Sequence, residues 1–360
     1  MPEPLKDRYN TAYFERLEAA LQTVQSDFPA KAFRDQIFDA QWDERELKDR
    51  MHHIAAVLHN VLPGDYREQL AVLKPVAARF EPDFLHMHFP DFVEQFGLDD
   101  PAASLPALEH FTRFSSAEFA IRPFIVRYPE QAMAQLLTWT QHEDYHVRRL
   151  ASEGCRPRLP WAMALPRFKA DPSPVIRVLK KLYRDPSEYV RRSVANNLND
   201  IAKDHPQVTL RTVAPWKGKN PQTNRLVRHA CRGLLKQAHP EALQLFGFGD
   251  PAKVAVHNLA LKAAVLTLGD TLHVAFSVHN PEQARLRLEY KIHYRKANGS
   301  LSPKVFQIAE GDYAAGERVY QLKQRFENLS TRKHYPGEHR LTICVNGVEK
   351  AAAAFTLTLG

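Results

Sequence analysis

The chain has 360 residues, of which 44% are hydrophobic and 25% charged, and its pI is near 9.3. This is the composition of a folded globular protein with two or three domains, and the basic pI favours an anionic partner. No run of 18 apolar residues, no apolar N-terminal signal and no CxxC pair is present, so we expect a cytoplasmic protein with no membrane span, disulfide framework or structural zinc site.

Amphipathic periodicity predicts helices through the first 140 residues. Apolar residues recur at three- and four-residue spacing, and prolines, glycines and capping residues separate the segments. The predicted helices cover residues 13–24, 33–38, 44–61, 65–78, 105–114, 118–127 and 129–140.

The chain from about residue 143 to 236 contains an internal repeat. Three helices open with Val147, Val190 or Val227 followed by a basic residue, 43 and 37 residues apart, a spacing typical of paired-helix HEAT arrays. Between Val147 and Lys236 there are 20 Lys and Arg against six Asp and Glu, whereas residues 1–145 are acidic. This concentration of positive charge is typical of a nucleic-acid-binding surface.

Helical phase places charged side chains on one face of these repeats. In the helix that begins near Val190, Arg192, Asn196 and Asp200 follow one another at four-residue spacing and therefore line one side. Arg149 and Glu153 form the matching stripe in the preceding repeat. Because stacked repeats bring corresponding faces together, the sequence predicts one basic wall with acids set into it.

A third acid belongs to the same pattern. Glu118 precedes Arg122 by four residues in a helix capped by Ser115 or Ser116. Glu118, Glu153 and Asp200 are thus our candidate catalytic residues. In the alternative interpretation, each acid pairs with a basic residue of its own helix, namely Arg122, Arg149 and Lys203 respectively.

Further candidates for DNA contact come from the basic side chains around this face. A basic stripe is predicted on the third repeat helix, and the proline-rich connection from residue 154 to 172 contains basic residues and Trp161. Trp161 lies either at the lip of the cleft or in the core. The predicted DNA-binding residues are Arg122, Arg149, Arg158, Trp161, Arg192, Asn196, Arg228, Arg232 and Lys236.

After Pro240 the pattern changes from helices to strands. Six or seven short segments alternate with period two and end in turn residues, including Asn298-Gly299 and Asn346-Gly347. This predicts an Ig-like β-sandwich without the Cys-Trp-Cys core of antibody domains. We therefore expect a mainly α protein, with a HEAT-like helical repeat domain over residues 1–245 and a sandwich over residues 251–360.

The segments SSAEFAIRPF, HVRRLASEGCRPRLPWA and YVRRSVANNLNDIAKDHP, together with the sandwich, resemble a known family. It is that of the HEAT-like-repeat alkylpurine DNA glycosylases, and the sandwich points to the AlkC branch and not to the AlkD branch. The resemblance covers nearly the whole chain. It implies excision of N-alkylated bases, chiefly 3-methyladenine, from duplex DNA, without a deep pocket for the base.

The residues suit that chemistry. An N3- or N7-alkylated purine is already cationic, so the enzyme has to stabilise a sugar oxocarbenium and position a water, which carboxylates do in glycoside hydrolysis. No P-loop, GxGxxG or zinc-deaminase motif is present, so we expect no metal or organic cofactor, and we expect a monomer. The alternatives are a non-catalytic nucleic-acid-binding scaffold and a protein-interaction array.

Overall fold

The computed structural model describes residues 4–328 and 332–359, which fall into two compact units, Met1–Ala230 and Cys231–Gly360. The first unit is helical. The second joins two short helices to a β-sandwich, and the predicted fold class is thereby confirmed. The change of unit comes after Ala230 and not near residue 245, because the two short helices pack with the sandwich.

The described residues form sixteen α-helices. The helices of the first unit are α1 (Thr11–Val24), α2 (Ala30–Ile37), α3 (Leu47–Val61), α4 (Tyr66–Ala77), α5 (His88–Phe96), α6 (Pro101–Phe111), α7 (Ile121–Arg127), α8 (Pro129–Trp139), α9 (Tyr145–Gly154), α10 (Pro166–Ala170), α11 (Ser173–Leu182), α12 (Glu188–Ile201), α13 (Pro206–Val213) and α14 (Pro221–Ala230). Those of the second unit are α15 (Arg232–Lys236) and α16 (Pro240–Leu245).

The helical periodicity seen in the sequence matches the core of the first unit. In α12, Val190, Val194, Leu198 and Ile201 are all buried, as predicted. The helix α9 packs against α8, α11 and α12, and α12 packs in turn against α13 and α14. The corresponding helices of successive repeats are therefore neighbours, which brings their equivalent residues together.

Close contacts fix how α9 meets the elements beside it. The hydroxyls of Ser152 and Ser193 hydrogen-bond at 2.7 Å, and Asn197 Nδ2 donates to the Ser152 carbonyl at 2.8 Å. At the end of α9, a Cβ on Gly154 would lie 2.5 Å from Cγ2 of Ile121. The backbone of α9 therefore approaches α7 more closely than any residue with a side chain would allow.

The described part of the sandwich contains eight strands in two sheets. They are β1 (Ala255–Leu261), β2 (Val265–Thr267), β3 (Thr271–Asn280), β4 (Ala284–Arg295), β5 (Leu301–Tyr313), β6 (Gly316–Arg325), β7 (Gly337–Val345) and β8 (Val348–Thr358). One sheet has the order β1-β3-β6 and the other β2-β8-β7-β4-β5, with β2 and β8 parallel. Inward-facing residues such as Phe276, Ile292 and Leu341 fill the space between the two sheets.

Both predicted hairpin turns are present in the second unit. Asn346 and Gly347 have φ values of 45° and 83° and join β7 to β8 in a two-residue turn, where both residues need a left-handed backbone. Asn298 and Gly299 lie in the turn between β4 and β5. Cys155, Cys231 and Cys344 are buried free thiols. Among the described residues, every helix is too short or too polar to cross a membrane.

Candidate active site

The first part of the site joins Glu118 to the next repeat. Glu118 lies in the turn before α7, where the hydroxyl of Ser116 donates to its carboxylate at 2.7 Å. Arg149 on α9 donates through Nη1 both to Ser116 Oγ, at 2.6 Å, and to the carboxylate of Glu118. Its guanidinium also covers the ring of Tyr189, 4.9 Å from the centroid. Arg149 is thus held between a carboxylate and an aromatic face.

The second part of the site centres on Arg156, just beyond the end of α9. Arg156 Nη1 donates to Glu153 Oε1 at 2.6 Å, while its Nε and Nη2 both lie 2.8 Å from Asp200 Oδ2. Ser193 on α12 donates to the other oxygen of Glu153 at 2.6 Å. Lys203 Nζ lies 3.2 Å from Asp200 Oδ1. All four carboxylate oxygens of Glu153 and Asp200 therefore have a partner.

Together these contacts make a chain of alternating charge, which we call the acid–arginine chain and which consists of Glu118, Arg149, Glu153, Arg156 and Asp200. Arg149 Nη2 lies 3.4 Å from Glu153 Oε1 and closes the link between its two parts. The predicted acids are thus brought together across three successive helical segments. Their side chains differ in exposure, at 15% for Glu118, 5% for Glu153 and 4% for Asp200.

The two buried acids lie where a helix alone would disfavour them. Glu153 is in the last turn of α9 and Asp200 in the last turn of α12. The C-terminus of a helix carries the negative end of the helix dipole, so a carboxylate in the last turn destabilises the helix. Burial opposes ionisation of Glu153, but the charges of Arg149 and Arg156 outweigh it, so the pKa of Glu153 lies below its usual 4.5. The arginines therefore keep this acid ionised.

The basic partner predicted nearby in sequence is present for two of the three acids, although Lys203 lies just beyond the end of α12. Glu153 contacts Arg149 and Asp200 contacts Lys203, as that alternative predicted. For Glu118 it is wrong, because this acid pairs with Arg149 of the following repeat. Each acid also has a partner outside its own helix, so pairing within the helix does not describe the site.

Arg122 lies elsewhere than expected. Its side chain is fully buried and donates to the carbonyls of Gly154 and Arg156, both at 2.9 Å, and twice to that of Met163, at 2.8 and 2.6 Å. Burial lowers the pKa of its guanidinium to about 10. The prediction of a DNA contact for Arg122 is therefore wrong, since its side chain is buried and all three of its guanidinium nitrogens donate to backbone carbonyls.

Trp161 is at the surface, so the alternative that places it in the core is wrong. Its side chain is 74% exposed and its φ is 63°. The other predicted loop residue, Arg158, forms an ion pair with Asp204, with Nη2 donating to Oδ1 at 2.7 Å.

The remaining predicted basic residues are divided between the two units. Arg192 is exposed on α12, and Asn196 Oδ1 lies 2.8 Å from His229 Nε2. Arg228 is near the end of α14, whereas Arg232 and Lys236 are exposed on α15 of the second unit. The expected stripe on one continuous helix is therefore wrong, because the helix ends at Ala230 and a new one begins at Arg232.

Four residues that were not predicted from the sequence complete the site, namely Arg156, Ser116, Tyr189 and Ser193. Arg156 follows Glu153 by three residues, a spacing that would have indicated the contact if α9 had been extended past Gly154. The other three contact Arg149 or Glu153 from neighbouring helical segments, so no spacing within one helix reveals those contacts. Among residues 4–328 and 332–359, no group of three His, Cys, Asp or Glu side chains is arranged to hold a metal ion.

Cavities adjoin Ser116 on two sides. One of about 250 Å³ is lined by Arg149, Tyr189 and His146, and another of about 330 Å³ by Lys48, Glu94 and Phe119 among others. Ser116 lines both. Ser116 and Arg149, which both contact Glu118, therefore border open space.

Comparison with known proteins agrees with the fold. Residues 111–234 match the family model of the DNA alkylation repair enzymes, and residues 255–359 match that of the C-terminal Ig-like domain of the uncharacterised protein YhaZ. Uncharacterized protein YhaZ of Bacillus subtilis (strain 168) is 41% identical over 352 residues, 98% of each chain.

A solved structure extends the match over the whole chain. The Pseudomonas fluorescens alkylpurine DNA glycosylase AlkC, bound to DNA containing an abasic site analog, is 38% identical with a TM-score of 0.94, over 99% of this chain and 100% of that one. The matches over the helical repeats and over the sandwich thus place this chain among the repeat proteins of DNA alkylation repair. The chain belongs to the AlkC branch of the DNA alkylation repair enzyme family.

Proposed function

We propose that this protein is a monofunctional DNA glycosylase that hydrolyses the N-glycosidic bond of cationic N-alkylated bases, chiefly 3-methyladenine, in duplex DNA. The observation that carries the proposal is the acid–arginine chain, in which three carboxylates lie within a strongly basic region. Because carboxylates weaken phosphate binding, their presence in this basic region indicates that they face a cationic group on the DNA. The likeness to the P. fluorescens alkylpurine DNA glycosylase supports the same reaction.

The reaction does not require the protein to protonate the leaving base. The alkylated base carries a positive charge and leaves as a neutral molecule when its bond to C1′ breaks. The sugar then carries oxocarbenium character, which nearby carboxylates stabilise. A water oxygen adds to C1′, and its proton passes to a carboxylate acting as base. Glu118, the most exposed acid, is our candidate for contact with the sugar or the water, and Glu153 and Asp200 are our candidates for the negative field behind it.

Basic and aromatic residues on the surface supply the DNA contacts of this proposal. Arg192 is exposed on the same helix as Asp200, and Trp161 is exposed on the loop that begins at Arg156. Guanidinium groups bind backbone phosphates and indole rings stack on bases. In this proposal, duplex DNA carrying alkylated bases is the partner and a single chain is the acting species.

The test is release of free methylated base from methylated duplex DNA, with chelator present and no metal added. Free base in the supernatant supports a glycosylase, whereas tight DNA binding without release supports a non-catalytic scaffold. The lysine near Asp200, Lys203, makes a second assay necessary. Borohydride traps the Schiff base of a lyase, so trapping of a protein–DNA adduct would contradict the monofunctional reaction.

A further inference from the structure

The loop that carries Trp161 is held in an unusual conformation. Of the four tryptophans, Trp42, Trp139 and Trp216 are at most 6% exposed, whereas Trp161 is 74% exposed. Its φ of 63° is left-handed, a conformation that residues with a Cβ rarely adopt outside Asn and Asp. Such strain persists only where surrounding contacts enforce it, and it is concentrated at functional positions.

A lysine from a distant part of the chain makes one of these contacts. Lys48, in the first turn of α3, donates through Nζ to the carbonyl oxygen of Trp161 at 2.9 Å. The same ammonium lies 4.8 Å from the centroid of the Phe119 ring, and Phe119 follows Glu118 directly. One cation thereby connects α3, the Glu118 turn and the Trp161 loop.

Arg122 holds the loop on the other side of Trp161. It binds the carbonyl of Met163, two residues beyond the tryptophan, and those of Gly154 and Arg156 where the loop begins. Side chains from two different helices thus fix the backbone around Trp161, while the indole itself stays exposed. A preorganised aromatic side chain binds with a smaller loss of conformational entropy than a mobile one.

We propose that Lys48 is a positioning residue for Trp161: it holds the loop backbone so that the indole is presented, already oriented, for stacking on a base of the bound DNA. The inference rests on the proposed function for its partner, DNA, but the contact between the two residues can be tested without it. Lys48 acts through the carbonyl of Trp161 and makes no DNA contact of its own in this scheme.

The first test measures the motion of Trp161 in the free protein by time-resolved fluorescence anisotropy. The decay of a Trp161→Ala variant gives the contribution of the buried tryptophans. Lys48→Met removes the donor and should increase the amplitude of fast indole motion. Lys48→Arg keeps a donor and should return this amplitude to the wild-type value. Lys31→Met is the matched control, because Lys31 is an exposed lysine of α2 that pairs with Asp35 on the same helix. Equal motion in wild type and Lys48→Met would overturn the proposal.

The second test is a double-mutant cycle on affinity for duplex DNA that carries an abasic-site analogue. Loss of base stacking in Trp161→Ala should weaken binding by roughly fivefold to a hundredfold. Lys48→Met should weaken it by about three- to tenfold, since one charge-assisted hydrogen bond at the surface is lost. If Lys48 acts through Trp161, the double variant binds no more weakly than Trp161→Ala.

The outcomes separate the proposal from its alternatives. Effects that multiply in the double variant would show that Lys48 binds DNA phosphate independently, which contradicts a positioning role. If the wild-type protein fails to bind DNA at all, the proposed function fails, while the anisotropy result still decides whether Lys48 positions Trp161.

Discussion

Glu153 and Asp200, on successive repeats, are joined by a single guanidinium, that of Arg156. The shared cation holds the two carboxylates at a fixed separation and offsets their mutual repulsion. Arg149 holds Glu118 to Glu153 in the same manner. The position and charge of each acid therefore depend on its neighbours, and substitutions along the acid–arginine chain should affect one another.

Removal of either buried negative charge should slow excision. Glu153→Gln and Asp200→Asn keep the shape of the side chain but lose the charge that stabilises the oxocarbenium, and such groups typically supply ~10²- to 10⁴-fold in rate. Affinity for DNA should hold or rise, because a charge of the same sign as phosphate is lost. Single-turnover excision and binding, with Glu143→Gln at an exposed position as control, measure both effects. Wild-type rates in both variants would exclude these acids from the reaction.

Excision should favour cationic lesions. In the proposed reaction, the carboxylates of the acid–arginine chain stabilise positive charge on the sugar, and the leaving group needs no protonation. Release of 3-methyladenine should therefore be much faster than release of hypoxanthine or uracil from otherwise identical duplexes. Comparable rates on neutral bases would show that a general acid acts at the site and that the role given to the carboxylates is incorrect.

The ionisation of Glu153 predicts a pH dependence of stability. Its pKa is lower in the folded protein than the usual 4.5, because the two arginines outweigh the effect of burial. An acid with a depressed pKa stabilises the fold above its unfolded pKa, and the contribution is lost as the pH falls through the folded value. The difference in unfolding free energy between wild type and Glu153→Gln should be constant from pH 7 to about 5 and shrink below about 4.5. If this difference in unfolding free energy grew on acidification, it would contradict the predicted lowering of the Glu153 pKa.

Arg122 should matter for stability. Arg122→Lys replaces a planar fork with a single ammonium that cannot reach all three carbonyls, so at least two of the four hydrogen bonds are lost. With about 1–2 kcal/mol for each, the free energy of unfolding should fall by about 2–4 kcal/mol in a urea titration. Arg127→Lys on the same helix, where the arginine is about half exposed, is the control and should change stability little. Equal stability of the two variants would contradict the buried role.

The second unit is predicted to contribute to DNA binding. It contains 17 Lys and Arg against 11 Asp and Glu, and its basic turns are our candidate contacts. A chain that ends at Ala230 preserves the first unit better than one that ends at residue 250, because α15 and α16 belong with the sandwich. The shortened chain should stay folded, bind DNA more weakly and give a shallower salt dependence, since fewer phosphates are neutralised. Unchanged affinity and salt slope would make the sandwich a passive appendage.

The sequence predicted what depends on regular periodicity. The buried stripe of α12 and the Asn346-Gly347 turn follow from local rules of spacing and backbone conformation. Contacts between repeats do not, because they depend on how far one helix is shifted and rotated against the next. Helical phase therefore placed Arg122 on the correct helix, yet gave no indication that the loop after α9 would fold over it. The division of the third basic stripe at Cys231 was missed for a related reason, since nothing in the spacing indicates a helix end there.

The left-handed backbone at Trp161 limits how this position can change. Glycine and asparagine adopt that conformation at the least energetic cost, so either would relieve the strain and remove the aromatic surface in the same step. Mutations that ease folding and mutations that preserve the indole are therefore in conflict at this residue. A library selected only for heat resistance should discard the tryptophan, and a library selected only for DNA repair should retain it.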